Sequence, residues 1–276
     1  MLVNLYDVMQ SAIKGSHAVA SFNVFGYEDA RAIISAAEAR NATVILSINL
    51  DMRQFMPLEE ISGLFRPMAH KAQVPVCLHL DHTYDIGTVK QAVDCGFTSV
   101  MFDGSQQPLT ENIASIRKVV AYARPQGVSV EAEVGSVPYA SGRDHIRSAL
   151  TEVVEAVQMA EQGQPDAIAI SVGNVHRLEH DTVAINFNRF TELEQALELP
   201  LVIHGTSGIN ESDIQHLASR QVAKFNIGTC LRQSFGHALR EALEADPKIF
   251  DRLELMQQVI PKVSATATRM IKLLGQ

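Results

Sequence analysis

The chain has 276 residues, of which 46% are hydrophobic, and a formal net charge of -8. This acidic balance disfavours general nucleic-acid binding, because a phosphate backbone attracts basic surfaces, but it leaves local binding of a small phosphate open. No run approaches the ~18 apolar residues that a membrane span needs, and the first fourteen residues lack the layout of a secretory signal. Three scattered cysteines, Cys77, Cys95 and Cys230, favour a reduced, cytoplasmic protein.

Short runs of β-strand composition alternate with helical patterns along the whole chain. In chain order, eight strands are predicted at residues 19–24, 43–48, 75–80, 99–102, 128–134, 166–171, 200–204 and 223–227. Helical periodicity covers residues 28–40, 86–95 and 148–162, and Asn210 followed by Asp213 is typical of the start of another helix. Two last helices are predicted at 234–245 and 253–274.

Near-continuous apolar strands that alternate with helices predict a parallel sheet covered on both faces. Eight such units in about 250 residues fit a (β/α)8 TIM barrel, here with extra C-terminal helices. No linker, low-complexity tract or charge block divides the chain, so one domain over residues 1–276 is expected. A doubly wound open sheet, which also places sites at strand ends, is the alternative.

Polar side chains stand where the predicted strands end. Burying unpaired polar groups is costly, so these ends are expected to open into a site on the carboxyl-end face of the barrel. His82, His176 and His204 could share a divalent ion, with Glu133 as an occasional or fourth ligand, in the open arrangement of catalytic zinc. The alternative for each histidine is an ordinary hydrogen-bonded residue at a strand end. The full set at strand ends is Asn23, Asp81, His82, Asp103, Glu133, His176, His204, Asn226 and Thr229.

Five segments carry a resemblance to a known family: HLDH at 79–82, SVMFDGS at 99–105, VEAEVG at 130–135, HGTSGI at 204–209 and KFNIGT at 224–229. In this order they resemble the class II, metal-dependent ketose-phosphate aldolases. That family includes the fructose- and tagatose-bisphosphate aldolases and the inositol-pathway deoxy-ketogluconate phosphate aldolase. The resemblance implies a barrel, one catalytic zinc ion, a small phosphorylated sugar substrate, dihydroxyacetone phosphate as a typical product, and a homodimer or homotetramer. It also allows for a monovalent cation.

The resemblance also implies a role for each matching residue. Asp81 matches the catalytic acid/base of a retro-aldol cleavage, and Asp103 and Glu133 match acidic residues that can contact the metal in an alternative position. Free backbone N–H groups between a strand and a helix favour an anion, which suits the phosphate end of a ketose. The zinc-binding histidines are His82, His176 and His204; the substrate residues are Asn23, Gly205, Ser207, Asn226 and Thr229.

Two departures from the family concern substrate binding. Arg177 stands where the family usually has glycine; its guanidinium could bind a phosphate or a substrate carboxylate, or point outward as a solvated loop residue. We favour ligand contact. The loop at 135–145 is short and contains no glutamate. Tyr139, Asp144 or His145 could replace the second acid/base that some relatives carry there, or the loop could be only a shortened surface loop.

Two other functions stay open on the sequence. A Schiff-base lyase would need a lysine at a strand end, and only Lys224 lies on a predicted strand, near its start. A barrel that binds a sugar phosphate without cleaving it, as a regulatory subunit, is suggested by Arg177 and the short loop. The retained histidine set and Asp81 argue against this second alternative, since a binder needs no base beside a metal.

Overall fold

Eight parallel strands close into a barrel in the computed structural model, which describes residues 1–140 and 146–276. Each strand pairs with the next one along the chain, and the last pairs with the first, so the sheet has no open edge within the ring. The predicted TIM barrel is confirmed, and the open doubly wound sheet is wrong. The strands are β1 (Leu2–Val3), β2 (Val19–Asn23), β3 (Val44–Ile48), β4 (Val76–Thr83), β5 (Ser99–Phe102), β6 (Ser129–Val134), β7 (Ala167–Ile170), β8 (Leu201–Ile203) and β9 (Val222–Ile227), of which β2 to β9 form the ring.

Helices surround the ring and cover its outer face. Among the described residues, no helix combines the length and apolar character that crossing a bilayer requires. The last two helices confirm the predicted C-terminal extension, and the assignment of one domain to residues 1–276 stays a prediction. The helices are α1 (Leu5–Lys14), α2 (Tyr27–Arg40), α3 (Leu50–Phe55), α4 (Leu58–Lys71), α5 (Ile86–Asp94), α6 (Leu109–Ala123), α7 (Val153–Gln158), α8 (Phe187–Ala196), α9 (Glu211–Ala218), α10 (Thr229–Ala245) and α11 (Arg252–Leu273).

The amino end of the barrel is closed by α1, a helix that the sequence interpretation did not include. The Asn4 side chain accepts a hydrogen bond from the Asp7 backbone N–H and so begins the helix. Its apolar residues recur with helical spacing and face the barrel interior. They are Leu5, Val8, Met9 and Ala12, which pack against a layer of small and apolar strand residues.

The helix predicted at 148–162 begins later, at Val153, and ends in a π-helical turn at Met159–Gly163. Residues before Val153 are held extended by pairing with the loop after β6. Ala149 forms an antiparallel bridge with Ser136, and the Thr151 hydroxyl accepts a hydrogen bond from the Ser171 N–H. These contacts keep the residues before Val153 out of the helix, because each contact satisfies a buried polar group. The helix predicted at 234–245 begins earlier, at Thr229.

Candidate active site and metal centre

Asp81 and His82 are neighbours in sequence, yet both face the same pocket. A regular strand would send them to opposite faces. The register between β4 and β5 shifts between Leu80 and Thr83, and His82 has a left-handed backbone with φ +44°. This bulge turns both side chains into the mouth of the barrel, as bulges beside functional sites commonly do.

The three predicted histidines meet at the floor of that pocket. One ligand atom from each of His82, His176 and His204 lies within 4.8 Å of the others. His204 Nδ1 and His82 Nε2 are 2.8 Å apart, and His176 Nε2 is buried without a hydrogen-bond partner among the described residues. Ring nitrogens that converge without other partners fit a cation that accepts imidazole ligands.

Carboxylates fix the orientation of two of these rings. Asp103 Oδ2 lies 2.9 Å from His82 Nδ1, and Glu131 Oε1 lies 2.9 Å from His204 Nε2. A carboxylate accepts the N–H of the ring nitrogen that it faces, so in the neutral form of the ring the opposite nitrogen carries the lone pair. His82 Nε2 and His204 Nδ1 are therefore the atoms directed at the shared point. This carboxylate–histidine arrangement is typical of metal sites.

Burial and mutual repulsion separate the pKa values of the three histidines. Burial, followed by the positive charge of His82, lowers the pKa of His176 and of His204 well below the usual value. Burial also acts to lower the pKa of His82, but electrostatic interaction with Tyr139 and Asp81 and the hydrogen bond with Asp103 raise it well above that value. Two imidazoles are thus neutral and ready to ligate, and a cation would displace a proton from the third.

Asp103 and Glu133 form a second group with His82, with ligand atoms within 4.8 Å of one another. Glu133 Oε2 lies 3.7 Å from His204 Nδ1 and has no hydrogen-bond partner in the described part of the chain. Burial, followed by the Asp103 charge, raises the pKa of Glu133 well above its usual value. Burial also acts to raise the pKa of Asp103, but the hydrogen bond and charge of His82, together with the hydrogen bonds from Ser105, lower this pKa to about 2. The unpartnered Glu133 oxygen fits an occasional metal ligand.

Asp81 is held between two amides at the pocket wall. Its Oδ2 accepts a hydrogen bond from Asn23 Nδ2 at 3.2 Å, and its Oδ1 accepts one from Asn226 Nδ2 at 3.0 Å. Burial tends to raise the pKa of Asp81, but electrostatic interaction with His82, and then with His204 and Lys224, lowers it overall. An ionised carboxylate therefore lies 4.0 Å from His82 Nε2. Asn23 and Asn226, predicted as substrate residues, here orient this carboxylate.

The predicted phosphate residues line the side of the pocket next to α10. Thr229 is the first residue of that helix, and its hydroxyl lies 3.5 Å from the Ser207 hydroxyl. Gly205 has φ +62°, and a Cβ there would lie 2.4 Å from the Val175 carbonyl oxygen, so only glycine fits. Arg232 also lines the pocket and was missed. Its spacing of three residues from Thr229 places both on one helix face, which is the signal that could have found it.

Arg177 lies at the pocket mouth, half-buried. Its Nη2 is 2.6 Å from Asp51 Oδ2, and its guanidinium lies 5.6 Å from the centre of the Tyr139 ring. Tyr139 in turn stacks on His176, with ring centres 4.4 Å apart and an interplanar angle of 18°. Two backbone hydrogen bonds join Pro138 and Ala140 to His176. The short loop thus covers a candidate metal ligand; Asp144 and His145 lie outside the described residues.

One pocket opens to solvent at the mouth of the barrel. Asp103, Glu133 and His204 lie beneath it. The pocket is lined by Asn23, Asn49, Leu50, Asp81, His82, Tyr139, His176, Arg177, Gly205, Thr206, Ser207, Asn226, Gly228, Thr229 and Arg232.

The family model for class II fructose-bisphosphate aldolase matches residues 3–276. The chain belongs to this family. It is 36% identical to the 6-phospho-5-dehydro-2-deoxy-D-gluconate aldolase of Halalkalibacterium halodurans, over 91% of this chain and 88% of that one. It is 33% identical to the fructose-bisphosphate aldolase of Mycoplasma genitalium, over 100% and 98%. The crystal structure of the YdjI aldolase from Escherichia coli K12 has a TM-score of 0.88 and 31% identity, covering 100% of this chain and 98% of that one.

The resemblance drawn from the five sequence segments is thereby confirmed. The chain is an aldolase, a lyase of a metal-dependent family that acts on phosphorylated sugars. The histidine-rich group at the barrel mouth is the candidate metal site of this chain.

Proposed function

We propose that the protein is a zinc-dependent aldolase that cleaves, or in reverse forms, a C–C bond in a phosphorylated ketose or keto-sugar. The observation that carries the proposal is the convergence of three histidine ligand atoms within 4.8 Å, beside an ionised Asp81. Imidazole-rich ligation with an open position favours zinc over the oxygen-preferring cations. Dihydroxyacetone phosphate and an aldehyde are the typical products that we expect.

His82, His176 and His204 would hold the ion, with Glu133 and Asp103 as ligands in an alternative position. A bound zinc ion would supply Lewis-acid polarisation of the ketose carbonyl. Ligand geometry is prepared in advance, because Asp103 and Glu131 already fix the orientation of two of the rings.

Asp81 is the general base in this mechanism. Its carboxylate accepts the proton from the hydroxyl on the carbon beyond the breaking bond, and the bonding electron pair moves to the phosphate-bearing half. In the reverse direction the protonated Asp81 returns that proton to the aldehyde oxygen. The amides of Asn23 and Asn226 hold both carboxylate oxygens in place, so little reorganisation is needed.

The phosphate end of the substrate is proposed to lie against Gly205, Ser207 and Thr229, with Asn23 and Asn226 nearby. Backbone N–H groups at the start of α10 have no side-chain cap and favour an anion. Arg232, three residues into this helix, adds a positive charge to the same pocket wall. A monovalent cation stays a prediction.

Arg177 and Tyr139 are proposed to contact the other end of the substrate. Arg177 lies in the pocket with its charge partly balanced by Asp51, and it could exchange that carboxylate for a phosphate or carboxylate of the ligand. Tyr139 covers His176 and lines the pocket, so its hydroxyl is the described candidate for a second acid/base. Asp144 and His145 remain candidates from the sequence alone.

The decisive experiment combines metal analysis with a retro-aldol assay over fructose bisphosphate, tagatose bisphosphate and 6-phospho-5-dehydro-2-deoxygluconate. We expect stoichiometric zinc, turnover on at least one phosphorylated sugar, and loss of both zinc and turnover in His204→Ala. Zinc content unchanged in His204→Ala would contradict its role as a ligand. Bound zinc without turnover on any phosphorylated ketose would favour the alternative of a non-catalytic, regulatory sugar-phosphate-binding subunit.

A Schiff-base mechanism has little support. Lys224 is fully buried inside the barrel, and its Nζ lies 2.7 Å from Glu131 Oε2, beneath the pocket. Borohydride with substrate should therefore leave the enzyme active. A homodimer or homotetramer in the cytoplasm completes the proposal.

A further inference from the structure

A polar layer lies beneath the catalytic residues inside the barrel. His79, Glu131 and Lys224 each precede a site residue on the same strand by two positions, below Asp81, Glu133 and Asn226 respectively. Residues two apart on a strand share a face, so the layer faces the barrel axis directly under the pocket. All three side chains are 0% exposed.

Hydrogen bonds join this layer to one metal-ligand candidate. Lys224 Nζ lies 2.7 Å from Glu131 Oε2 and 3.3 Å from His79 Nε2. The other oxygen of Glu131 lies 2.9 Å from His204 Nε2. At the far end of the layer, His79 Nδ1 lies 2.7 Å from the Ser99 hydroxyl. Glu131 is therefore shared between a buried cation and a ring that faces the candidate metal position.

Stability alone gives a weak reason for a charged pair at this depth. Removing two charges from water costs free energy, and well-packed apolar residues of similar volume often serve a fold equally well. The mechanism uses neither Lys224 nor Glu131 in contact with substrate. The hydrogen bond to His204 is the contact through which the pair reaches the candidate site.

We propose that Lys224 is a positioning residue for the metal centre, acting through Glu131. Lys224 holds one oxygen of Glu131, so that the other oxygen accepts the His204 Nε2–H and leaves the Nδ1 lone pair directed toward His82. This inference rests on the proposed metal-dependent function. It assigns a role to a lysine that is too deeply buried to meet substrate.

The test compares zinc dissociation constants, measured with a competing chromophoric chelator at one pH, for wild type, Lys224→Met, Glu131→Gln and the double variant. Glu131→Gln should weaken zinc binding about 10–100-fold, because an amide can donate or accept and no longer selects one form of His204. Lys224→Met should weaken it about tenfold. The double variant should bind no more weakly than Glu131→Gln, since Lys224 acts through Glu131.

Ser99→Ala is the matched control, because it removes a hydrogen bond from the same layer without touching Glu131. It should lower the melting temperature and leave zinc affinity unchanged. Lys224→Met with wild-type zinc affinity and a lowered melting temperature would show a purely structural role and overturn the proposal. If Lys224→Met does not fold, the double variant leaves no buried charge unpaired, and wild-type zinc affinity in that variant overturns the proposal equally.

A second readout needs no metal. Nitrogen-15 spectra of the metal-free protein should place the His204 proton on Nε2 in wild type and show a mixture of both ring forms in Lys224→Met. An unchanged spectrum would contradict the proposal. If the wild-type protein binds no zinc, the proposed zinc dependence fails, and these spectra still decide whether Lys224 positions His204.

Discussion

The two ends of the barrel are built from the same eight strands but differ in chemistry. At the amino end, α1 inserts Leu5, Val8 and Met9 against small and apolar strand residues, and every group in this cluster is apolar. At the carboxyl end, buried histidines and carboxylates converge, and some of their polar atoms have no partner among the described residues. Apolar packing at one end offsets the cost of buried polar groups at the other.

In this fold, residues at the amino ends of the strands serve mainly stability, and residues at the carboxyl ends serve mainly catalysis. Between the two ends lies the layer of His79, Glu131 and Lys224, which is buried like the core but hydrogen-bonded to the site. Variants at each level should therefore change stability and activity in different proportions.

The largest effect is expected at the carboxyl end, for Asp81→Ala. Removing the general base should reduce C–C cleavage by about 10²–10⁴-fold, with zinc content and melting temperature nearly retained. Steady-state kinetics on the best ketose phosphate, together with metal analysis, measure this. Asp85→Asn is the control, since this exposed N-cap of α5 keeps its acceptor and should leave turnover as in wild type. Unchanged turnover in Asp81→Ala would remove Asp81 from its role.

The opposite pattern is expected at the amino end, for Met9→Ala. Met9 is fully buried in the α1 cluster, so its truncation should lower the free energy of unfolding by about 2–5 kcal/mol through lost contacts and a cavity. Turnover of the folded enzyme should be unchanged. Urea denaturation and kinetics measure the two quantities, with Ser11→Ala on the exposed side of α1 as the control. A fall in turnover at constant stability would break the separation between the two ends.

Much of the carboxyl end could be predicted from sequence because strand periodicity and strand ends are local signals. The strands containing Asp81, Glu133 and Asn226 were located within a few residues, and the closed ring then brings their ends together. The amino end was harder to predict. The interpretation did not include α1, although Asn4 and the apolar spacing that follows are a readable helix signal.

Other features depend on contacts across the barrel that no local pattern contains. Lys224 on β9 meets Glu131 on β6, and two strands separate them in the ring. Arg177 meets Asp51 from a loop on the far side of the mouth. Such pairs are fixed by ring closure and strand tilt, so they become visible only when the barrel is assembled.

Asp29 tests whether the carboxyl end can also affect stability. It lies in the first turn of α2, and burial raises its pKa to about 6 from 3.8, although the Phe25 N–H opposes this shift. Because the folded pKa is the higher one, ionisation disfavours the folded state, and stability is lost as pH rises from 3.8 to about 6. The unfolding free energy of Asp29→Asn should therefore gain about 2 kcal/mol over wild type between pH 4 and pH 7, measured by urea denaturation. An equal difference at both pH values would contradict this.

The smallest effect is expected for Arg177, whose role should be limited to recognition. Arg177→Gly removes the guanidinium and suits the left-handed backbone at φ +56°, so the fold should be kept. We expect KM to rise about tenfold at nearly constant kcat, since Asp51 already offsets part of the charge that a substrate anion would meet. Kinetics over substrates with and without a second anionic group measure this. The rise should appear only with the doubly anionic substrates.

Asp51→Asn separates recognition by Arg177 from a merely structural ion pair across the mouth. If Arg177 binds a substrate anion, removing the competing Asp51 charge should lower KM, opposite in sign to Arg177→Gly. If the pair only holds the loop that contains Arg177 against α3, both variants should raise KM to a similar extent. A lower KM for Asp51→Asn and a higher KM for Arg177→Gly would assign substrate recognition to Arg177 at the mouth of the barrel. A rise in KM for both variants would instead assign the Arg177–Asp51 ion pair a structural role at the mouth of the barrel.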